Sequence, residues 1–267
     1  MFKGCTKLKA VTCLATDGFD AEDCLEHWLT NTAEGGNGIL TIDSRAREKW
    51  IQQSATNWNY PSNWNIQELT TGTAKAKLDG TNDVDVTWVQ LWENGPKFAT
   101  INVGVTSTSA TGINLYGGLY RWGGTNNMRS NTSASDDHNT GSADLTHTGD
   151  DPTDTATNLW GSNWRMPTQT ELQGLIDNCT WSTFSSGYTI TGKDAYTSNS
   201  IFLPAAGYFT YSKGNVSSVG SRGDYWSSTK SSSNNAYYLD SYSDSQDVDS
   251  YNCKDGYSVR PVLKEAE

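Results

Sequence analysis

The sequence predicts an α+β fold for residues 83–267, preceded by a smaller, repeat-like α+β segment. Three observations carry this. Short runs rich in Val, Ile, Phe and Trp recur between stretches of Gly, Ser, Thr and Asn, the pattern of strands joined by polar loops. One helix is clearly signalled: Thr168 stands at an N-cap position, Glu171 occupies the third helical position, and Leu172, Leu175 and Ile176 share a face. Upstream, residues 21–31 carry Cys24, Leu25, Trp28 and Leu29 at helical spacing, before the strand-like run Ile39-Leu40-Thr41-Ile42.

Composition narrows the function classes. The 267 residues suffice for one large domain or two modest ones, with a core that needs no disulfide support. Only 18% of residues are charged while the mean hydropathy is −0.63, so polarity comes from Ser, Thr, Asn and Gly, as in loop- and strand-rich surface proteins. Eleven Trp and thirteen Tyr argue against disorder. The net charge of −11, without any cluster of Lys and Arg, argues against nucleic acid and against an anionic membrane surface as partners. No run of 18 apolar residues exists, so no membrane insertion by this chain is expected. The N-terminus lacks the apolar core of a signal peptide. Two readings are open, a cytoplasmic protein or a fragment or mature form of a longer secreted protein; the second, located outside the cell or on its surface, is the expectation that the repeat resemblance below implies.

Taken in order, Leu8, Val11 and Leu14 mark a turn and strand, and residues 21–31 a helix. Glu34-Gly35-Gly36-Asn37-Gly38 interrupts the chain before the strand at Ile39. Ser44 is placed to cap a short helix bearing Trp50 and Ile51, and Tyr60-Pro61-Ser62-Asn63-Trp64 turns into a last strand over residues 65–69. Residues 71–82, small and polar, read as a linker. Val84, Val86, Trp88 and Val89 open the second domain as a strand, and residues 98–105 form a second apolar stretch. Residues 126–157 read as a long polar surface loop, of a length that is usually functional or mobile. Residues 201–206 read as a buried strand, Tyr225-Trp226-Ser227-Ser228 as the start of a C-terminal meander, and residues 257–263 as the final strand. Of five cysteines, Cys5, Cys13 and Cys24 are close enough in sequence for one local bridge, with the pair left open; Cys179 and Cys253 lie far downstream.

The run Phe2-Lys3-Gly4-Cys5-Thr6-Lys7-Leu8-Lys9-Ala10-Val11-Thr12-Cys13-Leu14-Ala15 resembles the end of a leucine-rich repeat array of the bacterial surface-antigen type, and Pro61-Ser62-Asn63-Trp64 is similar to the segment that closes such arrays. The resemblance implies further repeats before Met1, because a lone repeat cannot bury its own apolar face. A small independent α+β domain is the alternative for residues 1–70.

Further on, four segments occur together: Lys97-Phe98-Ala99-Thr100-Ile101-Asn102-Val103-Gly104, Trp160-Gly161-Ser162-Asn163-Trp164-Arg165-Met166-Pro167-Thr168, Asn199-Ser200-Ile201-Phe202-Leu203-Pro204-Ala205-Ala206-Gly207 and Gly256-Tyr257-Ser258-Val259-Arg260-Pro261-Val262, with Asp224-Tyr225-Trp226-Ser227-Ser228 between the last two. This set resembles the bacterial C-type-lectin-like domains related to the formylglycine-generating-enzyme fold, across about two thirds of the chain. The resemblance implies a C-type lectin fold in which the first and last strands, residues 83–91 and 257–263, pair. It also implies that Arg165 and Arg260 are structural, held by internal hydrogen bonds.

In residues 234–257, 17 of 24 are Asn, Tyr, Ser or Asp, a paratope-like mix: Tyr supplies rigid contact area and the others adaptable hydrogen bonds. The segment lies just before the Gly-x-Ser-Val-Arg-Pro-Val terminus. In composition and position it resembles the variable proteins of diversity-generating retroelements, in which randomised template adenines turn AAC and AAT codons into Asn, Tyr, Ser and Asp. The resemblance assigns a variable binding face to residues 237–257: Tyr237, Tyr238, Asp240, Tyr242, Asp244, Asp247, Asp249, Ser250, Tyr251, Asn252, Cys253, Asp255 and Tyr257. Leu239, Ser243, Ser245, Gln246, Val248 and Gly256 read as framework, and Cys253 as either a product of diversification or half of a disulfide.

No catalytic residue, metal ligand or cofactor is assigned. The G-x-S-x-G, Walker and H-E-x-x-H patterns are absent. His138 and His147, with Asp136, Asp137, Asp144, Asp150 and Asp151, sit in a polar stretch whose spacing matches no EF-hand. There is no Glu-Pro-Asn tripeptide of the calcium-dependent lectins, and Cys179 and Cys253 do not form the reactive pair of the formylglycine-generating enzymes. His27 reads as a packing residue. The expected function is recognition of a protein or glycan on another cell or surface, with the aspartates favouring a basic or polyhydroxyl partner. The alternatives are a fixed surface adhesin of the same fold and a carbohydrate-active enzyme.

Overall fold

The computed structural model describes residues 10–13, 38–42, 64–148, 153–184 and 186–264. The chain divides into two compact units, residues 1–69 with 265–267, and residues 70–264. In the first, β1 (Ala10–Cys13), β2 (Gly38–Ile42) and β3 (Trp64–Glu68) form a parallel sheet in that order. Val11 pairs with Leu40, and Leu40 with Ile66; Leu40 and Ile42 are buried. The helices expected at residues 21–31 and after Ser44, and Cys5, Cys24 and His27, lie outside the described residues.

The second unit overturns the α+β expectation. The chain's described elements comprise sixteen strands, in five sheets, against two α-helices, α1 (Thr155–Trp160) and α2 (Gln169–Asn178). The protein is therefore nearer all-β. The clear signal at Thr168 belongs to a single helix, and the polar connections around it lead from strand to strand.

One sheet runs in the order β4 (Thr71–Lys77), β5 (Asp83–Gln90), β6 (Lys97–Ala99), β16 (Val262–Leu263), β7 (Trp164–Arg165). Two expectations fail here. The segment read as a linker is largely strand: β4 pairs with β5 from Thr71–Val89 to Lys77–Asp83. Its small residues are used for packing, since a Cβ on Gly72 would lie 2.6 Å from the Trp88 ring. The first and last strands share a sheet but do not pair, because β6 lies between β5 and β16 and bonds to both. The final strand is also short; Tyr257 and Ser258 form isolated bridges to Tyr120 and Tyr225.

The other sheets are β8 (Cys179–Phe184), β9 (Gly187–Gly192) and β10 (Ser200–Pro204) in meander order; the hairpin β11 (Tyr208–Thr210), β12 (Asn215–Ser217); and β13 (Arg222–Lys230), β14 (Asn235–Tyr242) and β15 (Ser245–Asn252), in that order. Helix α2 starts on a full capping box: Thr168 Oγ1 accepts from Glu171 N at 3.2 Å, and Glu171 Oε2 accepts from Thr168 N at 2.7 Å. Leu172 and Leu175 of α2 pack with Leu239 of β14, Tyr225 of β13, and Val89, Phe98 and Ile201, with Ile176 and Val248 at the margin.

The two arginines are held internally. Arg165 bonds Glu171 through both guanidinium nitrogens at 2.7 and 2.6 Å. Arg260, 1% exposed, donates to Asn102 Oδ1 (2.8 Å), Ala99 O (3.0 Å) and Phe202 O (2.9 Å), joining three of the sequence motifs. Burial pushes its pKa down to about 10. The polar stretch after Asn126 is tied to the body: Met128 and Leu145 are buried, Leu145 N donates to Ser228 O, and Asp144 accepts from Lys230 N.

Candidate functional site

The site follows from the register of β13, β14 and β15. Side chains alternate between the two faces of a strand. In β14, Leu239 points into the core against α2, and its neighbours Tyr238 and Asp240 point the other way. The strands turn through Ser243 and Asp244, with Ser243 at φ +54°, the positive φ that a type II′ hairpin needs at its first central residue. That turn fixes the cross-strand rows on the outer face: Trp226–Tyr238–Asp249, then Asp224–Asp240–Asp247, then Arg222–Tyr242–Ser245, with Tyr251 opposite Ala236.

This register sorts the thirteen sequence-assigned positions. Tyr238, Asp240, Tyr242, Asp247, Asp249 and Tyr251 share the outer face, and Tyr257 joins it by stacking on Trp226 at 4.2 Å and meeting Tyr238 at 4.7 Å. Tyr242 and Tyr251 are the open rings, 56% and 51% exposed. Tyr238 and Tyr257 are buried and form the floor rather than the contact surface. Tyr237, Ser250 and Asn252 alternate onto the opposite face, with Leu239 and Val248. Asp244 sits at the turn, accepting from Thr183 Oγ1 at 3.3 Å. Cys253 and Asp255 are buried. Cys253 is a free thiol 3.7 Å from Lys230 Nζ, with burial pushing its pKa up, and Asp255 accepts from Tyr211 N at 2.7 Å.

Sequence reasoning missed Arg222, Asp224, Trp226 and Tyr208 as members of this face. Alternation within Arg222-Gly223-Asp224-Tyr225-Trp226 was the available signal, because it puts three polar or aromatic side chains on one side. Arg222 donates to Asp224 Oδ1 at 2.9 Å and Asp240 Oδ2 at 2.8 Å, and its guanidinium lies 5.2 Å from the Tyr208 ring centre. Asp224 Oδ2 and Asp240 Oδ1 are buried without a hydrogen-bond partner when both groups are ionised, although the two carboxyls lie within reach of a shared proton. Burial pushes Asp224 up to about 7; Arg222 opposes the shift and Asp240 adds to it. Burial, followed by the charge of Asp224, also raises the Tyr238 and Tyr257 hydroxyls.

Such a pair can hold a proton near neutrality, but its spacing is wrong for glycoside hydrolysis. Carboxyls that flank a glycosidic bond stand roughly 5 Å or more apart, with room for the sugar between them, whereas these face each other across adjacent strands and are bonded by one guanidinium, and the Asp224 side chain is only 1% exposed. A hollow of about 290 Å³ lies between Trp92, Asn94 and Pro96 and the Gln173–Asn178 side of α2, apart from this pair. Of its two acids, Glu171 is committed to Arg165 and the helix cap, and Asp177 accepts from Gln173 Nε2 at 2.9 Å. Among the described residues, no group of three or more His, Cys, Asp or Glu side chains is arranged to hold a metal ion, and no helix is long and apolar enough to cross a membrane.

A family model described as a domain of unknown function (DUF8237) matches residues 190–262, a stretch that contains β10 to β15 and so the whole of this face. No curated protein and no solved structure matches the chain.

Proposed function

We propose that this protein is an extracellular receptor that binds its partner noncovalently through the outer face of β13–β15, and that it is the diversified member of a diversity-generating retroelement system. The observation that carries the reading is the register. Six of the positions assigned from the sequence fall on one face, and the framework positions Leu239 and Val248 fall on the core face. A segment that must vary without unfolding needs this division, because substitutions on the solvent face leave the α2 packing untouched. Tyr and Asp on a rigid sheet supply contact area and hydrogen bonds at low ordering cost.

The motif resemblance supports the reading, with the fold taken as mostly β. The N-terminal sheet supports surface display. Its partners Val11, Leu40 and Ile66 recur at intervals within the roughly 20–29-residue period of leucine-rich repeats, in parallel and in order.

The test is to sequence this locus in many sibling isolates. The reading expects substitutions concentrated at Asp240, Tyr242, Asp247, Asp249 and Tyr251, reachable by adenine changes, over constant Leu239, Ser241 and Val248. Sparse, even substitution across residues 237–257 would reject diversification and leave a fixed adhesin.

A further inference from the structure

Apart from the β13–β15 face, we infer that the protein carries a second binding site, a subsite for one neutral pyranose ring of a glycan, in the hollow of about 290 Å³ between the β5–β6 connection and helix α2. A pocket of this volume stands at the small end of the range for ligand sites, and suits a single ring rather than a chain.

The sequence builds the hollow from two sides. On α2, Thr170, Gln173, Gly174 and Asp177 recur at spacings of three and four, so they form one stripe along the helix. Opposite stands the turn from Trp92 to Gly95, closed by Gly95 N donating to Trp92 O at 3.0 Å. Asn94 sits in that turn at φ +58°, a conformation that asparagine tolerates. Two glycines seat the Trp92 ring between these sides. A Cβ on Gly95 would lie 2.5 Å from Trp92 Cε2, and one on Gly174 would lie 2.6 Å from Cζ2. Gly174 is in the interior of α2, where glycine is disfavoured, and the close approach of the ring accounts for it. The ring is therefore fixed before any ligand arrives, which lowers the ordering cost of binding.

Open hydrogen-bonding groups surround this ring. The indole N–H groups of Trp122, Trp164, Trp181 and Trp226 each donate to a backbone carbonyl. That of Trp92, a partly buried residue, has no partner among the described residues, and neither has the Asn94 carboxamide. Gln173 Nε2 donates to Asp177 Oδ1 at 2.9 Å, which leaves Gln173 Oε1 and Asp177 Oδ2 as open acceptors. Donors and acceptors beside a fixed aromatic ring match a sugar, which has an apolar C–H face and hydroxyls that both donate and accept. Among the described residues no lysine or arginine lines the hollow, which disfavours an anion. Its one carboxylate outside the helix cap is exposed and already bonded to Gln173, which disfavours a cation. A wholly apolar ligand would desolvate these polar groups without replacing their bonds. The lining residues lie outside 237–257, so substitutions in that segment leave the subsite intact.

The experiment titrates the full chain with the methyl glycosides of glucose, galactose, mannose, N-acetylglucosamine and N-acetylgalactosamine. The tryptophan indole N–H signals are followed by NMR, with the Trp92 signal assigned by its loss in Trp92→Phe. The expected result is saturable movement of the Trp92 signal with at least one of these sugars. Gln173→Ala/Asp177→Ala removes two hydrogen-bonding side chains that the core does not use, and should weaken that binding roughly tenfold; thermal melts verify that the variant folds. Absence of saturable movement with all of these sugars would overturn the inference. So would sugar binding of undiminished strength in Gln173→Ala/Asp177→Ala, which would place the sugar elsewhere, the β13–β15 face included. Equal movement of the Trp92 signal by acetate or methylammonium would overturn the assignment to a neutral polyhydroxyl ligand.

Discussion

Asp224 and Asp240 stand opposite one another across β13 and β14, and the guanidinium of Arg222 bonds both, at 2.9 and 2.8 Å. The arrangement holds two carboxyls close together in a place where only one of them, Asp240, reaches solvent. Burial therefore favours the neutral form of Asp224, and proximity to Asp240 adds to this. Protonated Asp224 can donate to Asp240 and satisfy both otherwise unpaired oxygens.

The first prediction concerns pH. Asp224 titrates near its ordinary value of 3.8 when unfolded and at about 7 when folded. Between these values the folded state binds the extra proton, so stability falls as pH rises from about 4 to 7 and is flat above. A shift of about three units corresponds to roughly 4 kcal/mol. Asp224→Asn mimics the neutral acid. It should flatten this slope and make the protein more stable than wild type at pH 8, read by urea denaturation across pH. An unchanged slope would show that Asp224 does not titrate in this window.

Arg222→Met tests the other half of the arrangement. Burial works against the charge of Arg222, but Asp224 and Asp240 outweigh it and hold its pKa above the ordinary value. Removing the guanidinium leaves two close carboxyls uncompensated, a loss of about 3 kcal/mol at pH 8 for a partly buried pair. At pH 5, where Asp224 is neutral, the loss should be clearly smaller. Equal losses at the two pH values would mean that Arg222 contributes packing rather than charge.

Much of this was legible in the sequence, and the limits have physical causes. The helix at Thr168 was readable because capping is local: the Thr168–Glu171 exchange needs only four residues. The segment 237–257 was readable from composition. Its division into faces was not, because that depends on the two-residue turn at Ser243 and Asp244, and a one-residue slip would exchange the two sets. The fold class was misjudged because strands such as β4 are built from Thr, Gly, Ala and Lys, and look like a linker until β5 supplies the partner. The pairing expected of the terminal strands failed because β6, three residues long, inserts between them. Asp224 escaped notice because its raised pKa comes first from burial, which only the assembled sheet creates, with Asp240 adding to it and Arg222 opposing.

A third prediction separates framework from face. Leu239 is fully buried against α2, and Leu239→Ala should cost roughly 2–5 kcal/mol. Tyr242→Ala and Tyr251→Ala, on the open face, should stay within about 0.5 kcal/mol of wild type. Chemical denaturation of the three variants decides this, and a large loss at Tyr242 would mean that the ring is structural.

Arg260→Lys is a fourth test. The guanidinium makes three directed bonds to Asn102, Ala99 and Phe202 from a fully buried position. Lysine presents a single point of charge and cannot reproduce the fork. The loss should be about 3 kcal/mol or more, since acceptors are left unpaired around a buried charge. Denaturation midpoints within error of wild type would show that the fork is dispensable.

The last prediction concerns the edge of the binding sheet. β15 ends its sheet, and open edges invite pairing with another chain. Counting from the closing pair Tyr242–Ser245, the alternation of an antiparallel ladder turns the N–H groups of Val248 and Ser250 toward that edge. Both are already occupied, by Asp247 Oδ1 at 2.8 Å and Asp249 Oδ1 at 2.7 Å. The two aspartates thus present charge on the face and cap two donors of the edge at once. Asp247→Ala/Asp249→Ala should increase concentration-dependent self-association in sedimentation velocity. Asp247→Asn/Asp249→Asn separates the two roles, because the amide oxygen still accepts from the following N–H while the charge is gone. If occupancy of the N–H groups guards the edge, the Asn variant sediments like wild type; if charge does, it associates like the Ala variant.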